Sequence, residues 1–278
     1  VGNNKSQIAA FTDFADMTTI NSLGEMAIEA LGFSAARTVD SVVQQEIITH
    51  TAPGSVVFYI KQSAQQYYST AATAASVVSG GSKMAVSDIR TVVHGRLRAY
   101  NVPPLVEGDY VAITTPQVIE TLETDTAWTN YHTYTEKGIT NVYDGSIGRI
   151  FGTRFHMSTN VRVSAGSTVG GAAAAQLDAP SAGRQESLVH ATFVLGKGFY
   201  GVTELGGGLK YYSRTGSEKS DLLNQQSLFG WKANFIAKVL NVSAGVVMWT
   251  GVDSAILGCL TSARQANGLN CYYPDTSS

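Results

Sequence analysis

Residues 18 to 49 keep a helical period almost without a break. Leu23, Ala27, Ala30 and Leu31 recur at helical spacing, and Val39, Val42, Val43 and Ile47 continue the pattern. Glu25, Glu29, Arg37, Asp40 and Glu46 punctuate the polar side. At 1.5 Å per residue this helix would span roughly 45 Å. That is long for the core of a globular domain and predicts a chain built along a spine. Gly24 and Gly32 each cost about 1 kcal/mol against alanine inside a helix, which points to a kink or to close packing there.

After the spine, Val56 to Ile60 is a short apolar run, followed by small and polar residues and a Gly80-Gly81 break. The stretch "SDIRTVVHGRLRAY" predicts a second helix with Ser87 as N-cap. Ile89, Val93, Arg96, Leu97 and Tyr100 share one of its faces, and Pro103-Pro104 ends it. Tyr110 to Ile113 reads as a strand. Pro116 suits a first helical position, so a short helix is expected to about Leu122. Residues 158 to 187, rich in Gly, Ala and Ser, read as a long surface loop. Strand character returns over 189 to 205. The cleanest strand is "GWKANFIAKVLN": Trp231, Ala233, Phe235, Ala237 and Val239 face one way, Lys232, Asn234 and Lys238 the other. Asn241 to Gly245 is expected to turn it into "VVMWT" as the second strand of a hairpin. No period is visible from about 251 to 278.

Chemistry is hard to find. A phosphate loop needs G-x-x-x-x-G-K-[ST] opening a helix. "SGGSK" (Ser79 to Lys83) has the lysine in the wrong order, "LGKGFYG" carries Gly198 where a hydroxyl should bind magnesium, and "GGGLK" (Gly206 to Lys210) runs into Tyr211. Turns between strands are the simpler reading. "GSIGRIFGTRFHMSTN" fails the dinucleotide spacing too. Residues 149 to 157 alternate as a strand, and Gly152 within it suggests a bulge or a close backbone approach. His50, His94, His132, His156 and His190 form no metal-ligand motif. Cys259 and Cys271 stand twelve apart with no histidine nearby. No catalytic, cofactor-binding or metal-binding residue is therefore assigned, and the chain is not expected to be an enzyme. Arg90, His94 and Arg98 line one helix face, either as a cationic contact for nucleic acid or an acidic neighbour, or as a solvated face. Trp128 and Trp231 read as core or interface anchors.

Charge sharpens this. Only 14% of the 278 residues are charged and the net charge is −2, against about 25% charged residues in ordinary soluble domains. Much of the surface must be neutral, which suits faces covered by other subunits. A dedicated nucleic-acid binder would be basic. No run approaches the roughly 20 apolar residues of a membrane helix, no signal sequence opens the chain, and two cysteines make no disulfide framework. Synthesis inside a cell is the simplest reading.

The order of the pieces is informative: a spine helix, "SDIRTVVHGRLRAYNVPP", "DYVAITTPQVIETLETDTAW", "YDGSIGRIFGTRFHMST", "VLGKGFYGVTELGG" and "GWKANFIAKVLN". Over roughly residues 10 to 250 this resembles the major capsid proteins of tailed bacteriophages with the Hong-Kong-97-like fold, and within them the family typified by phage N-four. The loop at 158 to 187 and the tail after 251 depart from the pattern. The resemblance implies an α+β subunit. A peripheral domain would take residues 1–107, with the spine helix at about 18–49, and 225–255. An axial domain with a central sheet would take 108–224, and 256–278 would be a C-terminal tail. It implies self-assembly into hexamers and pentamers of an icosahedral head enclosing double-stranded DNA, contacted non-specifically. Neighbouring capsomers and portal, scaffold and decoration proteins would be the other partners. The subunit would be made in the host cytoplasm and reside in the virion, with no membrane partner. A nanocompartment shell protein shares that fold; a nucleotide-binding α/β enzyme is the alternative from another class. Family members carry an N-terminal arm and an extended two-stranded loop before the spine. "VGNNKSQIAAFTDFADM" offers only one short approach segment, and the chain opens on Val1, so it is expected to be the C-terminal portion of a longer subunit.

Overall fold

The computed structural model describes residues 3–12, 18, 23–50, 56–62, 65–69, 83–134, 146–164, 189–214 and 226–252. The bulk of the glycine-rich loop and the tail with both cysteines lie outside these. The spine helix is present as α1, Leu23–Thr49. Gly32 has open space around it, so close packing does not account for it; Leu31 and Ala35 are buried in the first part of the helix, and Val43, Gln44, Ile47 and Ile48 in its last turns. Among the described residues no helix is long and apolar enough to cross a membrane.

The chain folds into two compact units. The first comprises residues 1–43 and 201–238, the second 44–200 and 239–278. The division falls inside α1 and beside two strands, where composition does not change.

In the first unit a three-stranded sheet runs in the order β1 (Asn3–Thr12), β10 (Gln226–Val239), β9 (Tyr200–Arg214). The supposed approach segment is thus a ten-residue strand, antiparallel to β10 with Gln7 opposite Trp231 and Thr12 opposite Gln226. β10 alternates as expected. Trp231, Ala233 and Phe235 are buried against Leu31 and Ala35 of α1, with Ala9, Val39, Val42 and Phe229 around them. Phe11 stacks on Phe229 at 5.7 Å between ring centroids.

The second unit holds an eight-stranded sheet. Its order is β3 (Gln65–Ser69), β2 (Val57–Gln62), β11 (Gly245–Gly251), β8 (Val189–Leu195), β4 (Tyr110–Thr114), β6 (Thr153–Met157), β5 (Ser146–Ile150), with β7 (Val163–Ser164) paired to β8. β11 is buried at every position, parallel to β2 and antiparallel to β8. The expected β10–β11 hairpin does not form; the two strands belong to different sheets. Between them Asn241 accepts from the Ser243 amide through its side chain and starts one 3-10 turn. The start of the expected surface loop is also revised, since Val161, Arg162 and Val163 are buried.

Helix α2, Val86–Val92, widens into a π-helical turn over Val93–Arg98. Ser87 is not its N-cap. Ala85 holds that position, and the Asp88 carboxylate accepts from the Ala85 amide at 2.8 Å. Pro116 begins α3, Pro116–Glu123, as expected, and α4, Thr126–Tyr134, follows directly. Trp128 on α4 meets Phe155 edge-on at 5.5 Å. The stretch 149 to 157 is a tight hairpin rather than one strand. Phe151 and Gly152 form its two-residue turn with φ of +51° and +72°, the positive pair that a type I′ turn needs. The bulge lies beside Gly148, not Gly152.

Candidate assembly surface

Two of the three glycine-rich stretches have structural employment among the described residues. In "LGKGFYG" the Gly196 amide donates to the Ala244 carbonyl at 2.7 Å and the Lys197 amide to the Pro103 carbonyl at 3.0 Å. A Cβ at Gly196 would lie 2.5 Å from Val102 Cγ1, so this glycine allows a close packing of segments. "GGGLK" lies within β9, where Gly206 and Gly208 take positive φ. No helix follows either stretch. In "SGGSK" only Lys83 is among the described residues; it bridges to Gly251.

Several buried polar side chains of the second unit are hydrogen-bonded within it. Asp88 is fully buried and accepts from Tyr59 Oη at 2.9 Å, Lys61 Nζ at 2.6 Å and the Ala85 amide. The His190 ring meets Thr115 Oγ1 at 2.8 Å, and Thr114 meets Thr192 across the sheet at 2.7 Å. Gln44 bridges backbone on both sides, donating to the Asn160 carbonyl and accepting from the Arg162 amide, each at 3.1 Å. Tyr110 donates to the Val102 carbonyl at 2.7 Å. Burial raises its pKa above the ordinary 10.0, against a smaller lowering by the charge of Arg98 and a hydrogen bond from it. Among the described residues no group of three His, Cys, Asp or Glu could hold a metal ion.

The Arg90–His94–Arg98 face is exposed, but Arg98 is committed to the hairpin. Its Nη2 donates to the Phe151 carbonyl at 3.3 Å, and its Nη1 lies 3.4 Å from His94 Nδ1. The His94 ring sits edge-on to Phe151 at 5.9 Å. Below them Arg149 pairs with buried Asp109 at 2.7 Å, and Arg154 with Glu107 at 3.2 Å. These guanidinium groups hold the β5–β6 turn. Trp231 is the core anchor expected of it.

What stands out is the apolar surface left uncovered. On the side of α1 away from its sheet, Met26 and Phe33 are more than half exposed, Phe33 at 65%. Ile8 on β1 is 71% exposed, on the sheet face opposite the helix. β9 shows Val202, Leu209, Tyr211 and Tyr212 to solvent. Tyr211 and Tyr212 are adjacent in a strand, so they point to opposite faces; neither face of β9 is covered there. Exposed large apolar side chains in this number mark interaction surfaces, and an edge strand bare on both sides is marginal unless something packs on it. The sequence signal for this surface was present in residues such as Met26 and Phe33, which fall off the buried stripe of the spine; strand reasoning over 189 to 205 stopped short of the tyrosines.

No protein-family model matches the sequence, and no curated protein matches it. The fold, in contrast, is shared widely. The capsid of cyanophage Pam1 superposes with a TM-score of 0.59 at 14% identity, covering 90% of this chain and 75% of that one. The capsid of Ralstonia phage GP4 gives 0.59 at 16% identity, covering 91% and 74%. The chain has the Hong-Kong-97-like capsid fold. The SrpI encapsulin complex of Synechococcus elongatus is similar as well, with a TM-score of 0.53 at 11% identity over 91% of this chain and 75% of that one. The α+β class expected from the sequence is therefore the observed one.

Proposed function

We propose that this chain is a major capsid protein, whose copies assemble into hexamers and pentamers of an icosahedral head around double-stranded DNA. The observation that carries the reading is the extent of the match: about nine-tenths of the chain follows the fold of phage capsid subunits. The low charge, the uncovered stripe on α1 and the bare strand β9 support it, because each suits a subunit finished only by its neighbours. In this reading residues 1–107 and 225–255 make the peripheral domain, residues 108–224 the axial domain and 256–278 the C-terminal tail. DNA is contacted non-specifically, as a net charge near zero suits. Portal, scaffold and decoration proteins are the further partners, the host cytoplasm the site of synthesis and the virion the destination. Membership of the phage N-four-type group belongs to the same proposal. The role needs no catalytic residue, cofactor or metal.

The likeness to an encapsulin favours a second reading, a nanocompartment shell around cargo proteins. Electron microscopy of the purified full chain, with nucleic-acid and protein assay of the particles, tests both. Shells that package DNA during infection support the first reading. Shells holding a single protein cargo and no DNA favour the second, and a monomer that never forms rings or shells sinks both.

A further inference from the structure

The exposed face of α2 and its π-helical turn carries two adjacent rows. Ser87, Thr91 and Gly95 form one; all three are exposed and small. The Thr91 hydroxyl is folded back onto the Ser87 carbonyl at 2.9 Å, and nothing lies within 4 Å of a Cβ placed on Gly95. Arg90, His94 and Arg98 form the other row, also exposed. A floor of small side chains lets another helix approach closely, and the row beside it is cationic. Among the described residues no carboxylate neutralises that row. Arg90 makes no ion pair, and Arg98 is held by neutral groups, the Phe151 carbonyl, the His94 ring and the Tyr110 hydroxyl. The acids around the helix are committed elsewhere: Asp88 to Tyr59 and Lys61, Asp109 to Arg149, Asp125 to the Val86 and Ala127 amides. Helix α3 shows the reverse. Glu120 and Glu123 are exposed, on one face and about 4.5 Å apart along the axis. They lie in the last turn, where the helix dipole disfavours anions, they repel one another, and no basic residue shares that turn. Among the described residues no cation pairs with either. The Asp125 contact with Val86 ties the end of α3 to the start of α2 within one copy, yet the two sets of charges do not meet there.

We propose that the exposed face of α2 is a docking surface for the acidic end of α3 in a second copy of this chain. The floor of Ser87, Thr91 and Gly95 takes the body of the incoming helix, and Arg90 and His94, about 6 Å apart along α2, meet Glu120 and Glu123. Arg98 stays on its hairpin and adds its charge to the row. The contact relieves the carboxylate pair of the setting that α3 alone gives it. Each copy offers one patch of each kind, and the opposite charges set the register in which they meet. The inference rests on the shell reading above and specifies one of its contacts.

Charge reversal in the full chain tests it, with particle yield by sedimentation and electron microscopy as readout. Arg90→Glu with His94→Glu sets like charges face to face, as does Glu120→Lys with Glu123→Lys. Each pair should lower particle yield at least about tenfold, because like-charge juxtaposition costs more than one decade in affinity. Combining all four reversals restores the complementarity and should recover most of the yield, which a simple folding defect would not do. Gly95→Trp fills the floor without altering charge and should lower the yield as well. Circular dichroism melts of the soluble subunits check that every variant folds. The inference fails if either pair of reversals assembles like the unaltered chain, or if the four-fold variant is no better than the pairs. It fails too if the reversals shift only the melting of the soluble subunit, which would place the pairing inside one copy. Reversal on α2 that lowers only the DNA content of normally formed particles would assign that face to nucleic acid and overturn it. Unaltered chains that form no particles at all would overturn the shell reading itself, whereas particles indifferent to all these changes overturn only this contact.

Discussion

Phe235 is 3% exposed, on the covered face of β10 between Leu31, Ala35, Trp231 and Ala233. Phe235→Ala removes a ring from a site with little room to collapse and should cost about 3–5 kcal/mol. A urea melt of the soluble subunit showing less than 1 kcal/mol would misplace the core. Tyr110 makes a pH-dependent prediction. Burial holds its folded pKa above the unfolded 10.0, so the neutral phenol is favoured in the fold. Its contribution to stability is complete below pH 10 and is lost as the pH climbs through the raised value, because the unfolded chain releases the proton first. The stability gap between the unaltered chain and Tyr110→Phe should stay constant from pH 7 to 9 and narrow above 10. A gap that widens there would reverse the sign of the shift. The pairing of Tyr110 with the Val102 carbonyl was not readable beforehand, since it joins a strand to the coil after a helix that ends in an unexpected π-turn.

At the scale of elements, the β5–β6 hairpin is held by its two positive-φ residues and by Arg98, whose Nη2 would lie 2.7 Å from a Cβ placed on Gly152. Gly152→Ala should therefore destabilise by about 1–2 kcal/mol through backbone strain. Gly95→Ala, in a helical turn with nothing within 4 Å of the new methyl, should stabilise by about 0.4–1 kcal/mol. Equal signs in thermal melts would contradict the turn geometry. These elements also show what a period can reveal. β10 alternates because α1 covers one of its faces, and α1 has a stripe for the same reason. β11 is enclosed on both faces, so its run "VVMWT" has no alternation to distinguish a hairpin partner from the centre of another sheet. β1 escaped notice because, Ile8 and Phe11 apart, its residues are small or polar, and it is mostly exposed; only the register with β10 makes it a strand.

For the whole molecule, the uncovered β9 predicts a difference between the free subunit and the particle. Amides of residues 200–214 that do not pair with β10 should exchange hydrogen quickly in the soluble subunit and slowly in assembled shells, read by mass spectrometry on both. Equal protection would mean that this strand is not covered by assembly. The α+β class was legible from the order of segments, and the chain passes from one compact unit to the other in mid-helix after Val43 and again after Tyr200 and Lys238, without any linker composition to mark the passage. That interleaving bears on manufacture. β1 leaves the ribosome long before its only described strand partner, β10, which begins at Gln226. At about 5–20 residues per second, roughly two hundred intervening residues take on the order of ten to forty seconds to translate. Throughout that interval a nascent chain carries an unpaired strand. On a polysome crowded with identical chains, completion of the first sheet, rather than any later encounter, becomes the moment at which a subunit is safe to meet its copies.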